Sequence, residues 1–232
     1  MKTYKNILLP FTLCLFISPC FASSDNFQEN QILALRGNMV AQYNLGLMYN
    51  NGQGVGQSNA QAFEWYSKAA AQGYADAQNN LGLMYNKGQG VGQNDVKAFE
   101  WYSKAAAQGL VTAQYNLGLM YDNGQGIGQS DVKAFEWYSK AAAQGYADAQ
   151  NNLGSMYVNG QGVVQSDVKA FEWYLKAANN NNATAQFNIG TSYLDGSNGL
   201  PKNKVQAINW LKKAAVNGHA KANLMLAGLN SY

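Results

Sequence analysis

Apolar and polar positions along this chain follow a helical beat that restarts at a fixed interval. Between Thr112 and Tyr121, the residues Ala113, Asn116, Leu117 and Met120 fall at offsets of three and four, on one stripe of a helix. Tyr121 lies beside that stripe, and Gly124 is the expected stop. A second beat starts after Ser130 or Asp131, either of which can cap free backbone amides. It carries Ala134, Phe135, Trp137, Tyr138, Ala141 and Ala142, and Gly145 then offers the left-handed conformation that ends a helix cheaply. Ala147 and Asp148 open the next helix of the first kind, where an acidic residue suits the first turn.

The same words return along the chain. The Trp of the Phe-Glu-Trp-Tyr word stands at 65, 101, 137 and 173, a spacing of 36, and Trp210 follows after 37. The Ala-Gln-x-Asn word starts at Ala41, Ala77, Ala113, Ala149 and Ala185. A period of this size signals stacked supersecondary units, each unable to bury its apolar face alone. The reading is an all-α solenoid of stacked antiparallel helix pairs with five units, 41–76, 77–112, 113–148, 149–184 and 185–221. Residues 23–40 read as a partial N-terminal unit, in which Phe27 to Arg36 is a degraded second helix. Residues 222–232 begin another first helix.

Large side chains (Trp137, Phe135, Tyr138) alternate with small ones (Ala141, Ala142, Gly118), which predicts knobs from one helix filling space left by Gly and Ala on another. A Gly inside each first helix (Gly46, Gly82, Gly118, Gly154, Gly190) costs about 1 kcal/mol relative to Ala, so its recurrence predicts close helix approach. Asn181 stands where other units carry Gly, and Asn tolerates the left-handed region best after Gly. The one-residue insertion falls in Ser197-Asn198-Gly199-Leu200-Pro201, between the two helices of unit five.

The first residues read differently. Lys2 and Lys5 precede an apolar run from Ile7 to Ile17, and Ala22 is a small residue before Ser23. This pattern predicts a secretory signal peptide over residues 1–22, too short to be a permanent membrane anchor. A lipid anchor at Cys20 is the competing reading, but Pro19 stands where such a motif has Gly or Ala. After cleavage both cysteines, Cys14 and Cys20, are gone, so stability has to come from stacking. The formal charge falls from +3 to +1, with no block of Lys or Arg, which argues against nucleic acid. Charged residues are 12% of the chain, about half the usual share; Gln, Asn, Ser and Gly carry the surface instead. The predicted location is periplasmic or secreted.

Candidate chemistry is sparse. Gly52-Gln53-Gly54-Val55-Gly56-Gln57 resembles a phosphate cradle, but no Lys-Ser or Lys-Thr follows and no strand precedes it. It reads as a helix-to-helix turn. Glu64, Glu100, Glu136 and Glu172, with Asp95, Asp131 and Asp167, read as solvated helix positions: Asp131 as a cap, Glu136 paired with Lys140 at i,i+4. His219 is the one histidine and reads as a surface residue. No catalytic residue, metal site or cofactor is expected. Asn182-Ala183-Thr184 matches a glycosylation sequon, to which no role is assigned.

Comparing units within the chain yields the candidate site. One stripe of the first helix varies while its neighbours stay constant. It comprises Tyr43, Leu47 and Asn50; Asn79, Leu83 and Asn86; Tyr115, Leu119 and Asp122; Asn151, Ser155 and Val158; and Phe187, Thr191 and Leu194. Offsets of four and three make this one helical face. Its variation implies that packing does not dictate it, and Tyr43, Tyr115 and Phe187 are aromatic anchors for an extended peptide or protein edge. A glycan is the alternative partner, since Tyr, Asn and Gln suit sugars. Tyr74 and Tyr146, at the junctions between units, are weaker candidates.

The words from Gly73 to Gly109 (GYADAQNNLGLMYNKGQGVGQNDVKAFEWYSKAAAQG) resemble Sel1-like repeats, a tetratricopeptide-related family, and the match runs from Gly37 to Leu229. The resemblance implies a right-handed superhelix. Leu117, Gly118, Tyr121, Ala134, Trp137, Tyr138, Ala141 and Ala142 would be packing residues. It also implies a non-enzymatic adaptor for protein complexes, often in bacterial signalling or host interaction. Some secreted members are cysteine-rich, with weak β-lactamase or penicillin-binding activity. The repeats here hold no cysteine, so a β-lactam- or peptidoglycan-active enzyme is the lesser alternative.

Overall fold

The computed structural model describes residues 19–229, with side chains from residue 26 onward. The leader reading of residues 1–22 lies outside those side chains. Among the described residues there are twelve α-helices and no strand. The first helices of the five units are α2 (Met39–Asn51), α4 (Ala75–Lys87), α6 (Val111–Asn123), α8 (Ala147–Asn159) and α10 (Ala183–Asp195). Their second helices are α3 (Asn59–Ala71), α5 (Asp95–Ala107), α7 (Asp131–Ala143), α9 (Asp167–Asn179) and α11 (Lys204–Val216). The array is flanked by α1 (Pro19–Leu35) and α12 (Ala220–Leu229). Each helix packs on its neighbours in sequence, the contact within a unit being more extensive than that between units. The chain is an all-α solenoid.

Local chemistry sets the helix ends. Ser130 has extended backbone and its hydroxyl accepts the Lys133 amide at 3.4 Å, so it caps α7. Gly124 adopts φ +68° after α6 and donates its N–H to the Met120 carbonyl. Asn181 takes φ +60° in the slot that Gly145 fills at +89°, as its amide side chain allows. In the Gly-rich loop, Gly52 and Gly54 have positive φ and Gly56 does not. Gly90, the counterpart of Gly54, lies so close to the Asn59 carbonyl that a Cβ has no room. This loop is therefore a turn that seats one unit on the second helix of the unit before it.

The core repeats with the sequence. Leu45, Leu81, Leu117, Leu153 and Ile189 are buried, as are the paired alanines of most second helices. Burying one such side chain is worth about 1.5–3 kcal/mol. The predicted knob is a tyrosine: a Cβ on Gly118 meets the Tyr138 ring at 2.6 Å, and one on Gly82 meets Tyr102 at 2.7 Å. In unit five Leu211 replaces that tyrosine over Gly190. Helix α1 packs as a second helix does. Phe27 stands edge-on to Tyr49 at 5.7 Å, as Phe63 does to Tyr85 at 5.4 Å and Phe135 to Tyr157 at 5.5 Å.

A buried polar ladder joins the units, and sequence reasoning did not anticipate it. The Gln of each Ala-Gln-x-Asn word is buried. Gln78 donates to the Ala70 carbonyl at 3.2 Å and accepts from Gln108 at 2.7 Å. Gln114 and Gln144 repeat this one unit on, and Asn180 and Asn217 replace the donor glutamine in the last two steps. A buried amide left unpaired costs about 1–3 kcal/mol, so each unit boundary is specified by geometry as well as by apolar contact.

Two expectations are corrected. Lys140 does not turn to Glu136; its amino group lies over the Trp137 ring at 3.7 Å. Lys68, Lys104, Lys176 and Lys213 sit likewise over the tryptophan three residues earlier, at 3.9 to 4.1 Å. The indole face offers an electron-rich surface one turn away on the same helix. His219 is half-buried rather than freely exposed. It stacks on Phe187 with ring centroids 4.2 Å apart, and its Nδ1 is buried without a partner among the described residues.

Candidate functional site

All fifteen residues of the varying stripe are half-buried. They fall into two classes. The position represented by Tyr43, Asn79, Tyr115, Asn151 and Phe187 faces the junction of the following unit. Tyr43 packs on Tyr66 and Tyr74 with centroids 5.7 and 5.0 Å apart, and Tyr115 packs on Tyr138 and Tyr146 at 5.8 and 4.9 Å. Asn79 instead accepts from Asn116 at 3.2 Å, Asn151 from Asn188 at 3.3 Å, and Phe187 stacks on His219. The variation here is thus matched by a change in the neighbouring unit. Packing does dictate this position, and the three aromatic anchors are structural partners of their junctions. Tyr74 and Tyr146 belong to the same clusters.

The clusters have electrostatic consequences. Burial pushes the Tyr66 and Tyr138 hydroxyls well above the usual phenol range. At Tyr66 a hydrogen bond with Asn80 works against that shift, whereas at Tyr138 the Asp122 carboxylate adds to it. Tyr138 donates its hydroxyl to Asp122 Oδ2 at 3.2 Å.

The second class is the outer edge of the stripe, and here a cleft forms. It lies between α2 and α4 and has a volume of about 670 Å³. Its apolar lining is Leu47, Leu83, Met84 and the edge of Tyr66. Around this stand the amides of Asn50, Asn51, Gln57, Asn59, Asn80 and Gln89. Lys87, in the last turn of α4, is the single charged residue of the lining. Of the stripe, this cleft gathers Leu47, Asn50 and Leu83. Asn86 turns aside to donate to Asp95 at 3.2 Å. Leu119, Asp122, Ser155, Val158, Thr191 and Leu194 lie on the continuing face of α6, α8 and α10. Sequence comparison found the leucines and Asn50. It missed Lys87, whose signal was a cation where the other units carry Asn or Asp, and Gln89, which gave no signal because units one to four all carry glutamine there.

The cleft lining carries amides and one lysine, with no carboxylate, histidine or cysteine. Among the described residues no group of three or more His, Cys, Asp or Glu side chains is placed to hold a metal ion. No described helix is long and apolar enough to cross a membrane.

The Sel1 repeat family model matches five times, over residues 40–74, 75–110, 111–146, 147–182 and 183–219. The chain belongs to the Sel1 repeat family. These boundaries start one or two residues before the units read from the sequence. Solved relatives agree. A Sel1 repeat protein from Oxalobacter formigenes is 33% identical, with a TM-score of 0.80 over 88% of each chain. A protective antigen of uropathogenic Escherichia coli displaying the same repeat fold is also 33% identical, with a TM-score of 0.64; the match covers 89% of this chain and 52% of that one. A Klebsiella pneumoniae Sel1 repeat protein is 25% identical over 88% of this chain, with a TM-score of 0.54. A search of curated proteins found no match. Sel1 repeat proteins are generally protein-interaction scaffolds and typically non-catalytic.

Proposed function

We propose that this protein is an exported, non-enzymatic scaffold that binds a protein or peptide along the first-helix face. The observation that carries this reading is the cleft between α2 and α4, an apolar floor rimmed by amides on the one face that differs from unit to unit. Recognition surfaces of this kind pair an apolar anchor with polar groups that fix orientation. The apolar run before Ala22 supports export, and the protective antigen among the relatives is in keeping with a role at the bacterial surface.

The test is affinity recovery of partners from the cell envelope and medium, using the chain from Ser23 onward. A triple variant, Leu47→Asp, Leu119→Asp and Thr191→Asp, runs beside it, with folding checked by circular dichroism. An enriched protein lost in the folded variant supports the face. The same protein retained by the variant contradicts it. An apolar floor rimmed by amides also suits a sugar ring. If soluble peptidoglycan fragments bind and proteins do not, the glycan reading replaces this one.

A further inference from the structure

We propose that the cleft between units one and two is a specific pocket for a short polypeptide segment carrying one aliphatic side chain next to a carboxylate. This rests on the scaffold reading above and narrows it to one place and one ligand chemistry. The first argument is charge. Among the first helices of the five units, Lys87 is the one lysine; its counterparts are Asn51, Asn123, Asn159 and Asp195. Eight other lysines lie over aromatic rings of their neighbourhood; Lys87 is not among them and has no carboxylate partner among the described residues. A lone cation at the rim of an otherwise neutral cleft matches a single negative charge on the occupant.

The second argument is hydrogen bonding. Gln57 donates to the Asn50 carbonyl at 2.8 Å, and Asn50 donates to Asn51 at 2.9 Å, which fixes that wall. The side-chain amides of Asn59 and Gln89 make no hydrogen bond among the described residues. Each offers a donor and an acceptor together, the pattern a peptide bond presents. The third argument is the floor. Leu47 and Leu83, both half-buried, offer the apolar surface, and the buried Met84 closes it from beneath.

The positions two units further on act as an internal comparison. There Ser155 stands for Leu83, Asn159 for Lys87, Asp122 for Asn50 and Asp131 for Asn59, while Tyr138, Met156 and Gln161 are unchanged in kind. The floor loses a leucine, the cation is gone, and two carboxylates appear. The same scaffold therefore holds a receptive cleft in one place and an acidic, more polar surface in the other.

The experiment is affinity selection from a synthetic octapeptide library, half with free and half with amidated C-termini, on the chain from Ser23 onward. Enriched peptides should carry Leu, Ile, Val or Met beside a carboxylate. Lys87→Asn and Leu83→Ser should each weaken them about tenfold or more, whereas Lys104→Asn, the same charge change on a second helix, should leave them unaffected. Enrichment confined to the free-acid half identifies a C-terminal carboxylate; enrichment in both identifies an Asp or Glu side chain, and either supports the proposal. Enriched peptides that lack a carboxylate, or that ignore both cleft variants, overturn it. If they respond instead to Leu119→Ser, the first-helix face stands and only the cleft assignment falls. If no peptide is enriched, or chitotetraose alone binds the cleft, the peptide-scaffold reading falls with it.

Discussion

Units one and two and units three and four are close copies of one another, yet they present different chemistry. Both blocks place a tyrosine over a glycine of the first helix, Tyr66 over Gly46 and Tyr138 over Gly118. Both stack three tyrosines at the junction. They diverge at the outer edge of the first helices, where Asn50 faces a cleft without carboxylates and Asp122 instead accepts the Tyr138 hydroxyl. In this solenoid the scaffold and the surface are separable. The buried stripe repeats because every unit must fit its neighbours, and a few edge residues can change without disturbing that fit.

The largest expected effect concerns what the two blocks share. Burial holds the hydroxyls of Tyr66, Tyr102, Tyr138 and Tyr174 above the usual phenol range. Each folded pKa lies above the unfolded value near about 10, so the folded chain keeps protons that the unfolded chain releases. Stability is therefore full below about pH 10 and drains away above it, by up to ~1.4 kcal/mol per pH unit for each tyrosine. Thermal melts between pH 8 and 11.5 should show a steep alkaline fall, made shallower to a similar degree by Tyr66→Phe and Tyr138→Phe. A flat profile would contradict the packing described.

Next comes the glycine beneath each ring. Gly46→Ala and Gly118→Ala should each lower stability by about 1–3 kcal/mol in urea titrations, although Ala is the better helix former by about 1 kcal/mol. Equal losses keep the two blocks equivalent in their cores; a stabilised variant would show that the rings can move aside. Asp122→Ala probes where they differ. It should cost about 1 kcal/mol, since it leaves the Tyr138 hydroxyl without that acceptor, whereas Asn50→Ala should cost less. Smallest is the lysine on tryptophan: Lys68→Ala and Lys140→Ala should each cost about 0.5–1 kcal/mol, to the same extent in both blocks.

Much of the fold was legible because a period of 36 residues leaves few architectures, and because Gly124, Gly145 and Ser130 announce helix ends by residue type. The Asn181 substitution was readable for the same reason: its φ follows from its place in the pattern. Less legible were contacts that need two units to be seen together. Tyr43 and Tyr74 vary in concert with Tyr115 and Tyr146, so a stripe that looked free of packing demands is partly a junction. The buried glutamines were passed over because a polar residue at a constant position reads as surface until its partner, 30 residues away, is in view. His219 was misplaced because chain position suggested exposure, whereas Phe187 covers it. The cleft needed the fold, since Lys87 and Gln89 lie beyond the stripe that defined the sequence candidate.

The most direct measurement is hydrogen exchange, read by mass spectrometry, on the chain with and without a selected peptide. The account predicts added protection over residues 47–59 and 80–89, with residues 119–131 and 152–161 unchanged. Protection confined to the second block, or to the second helices, would contradict it.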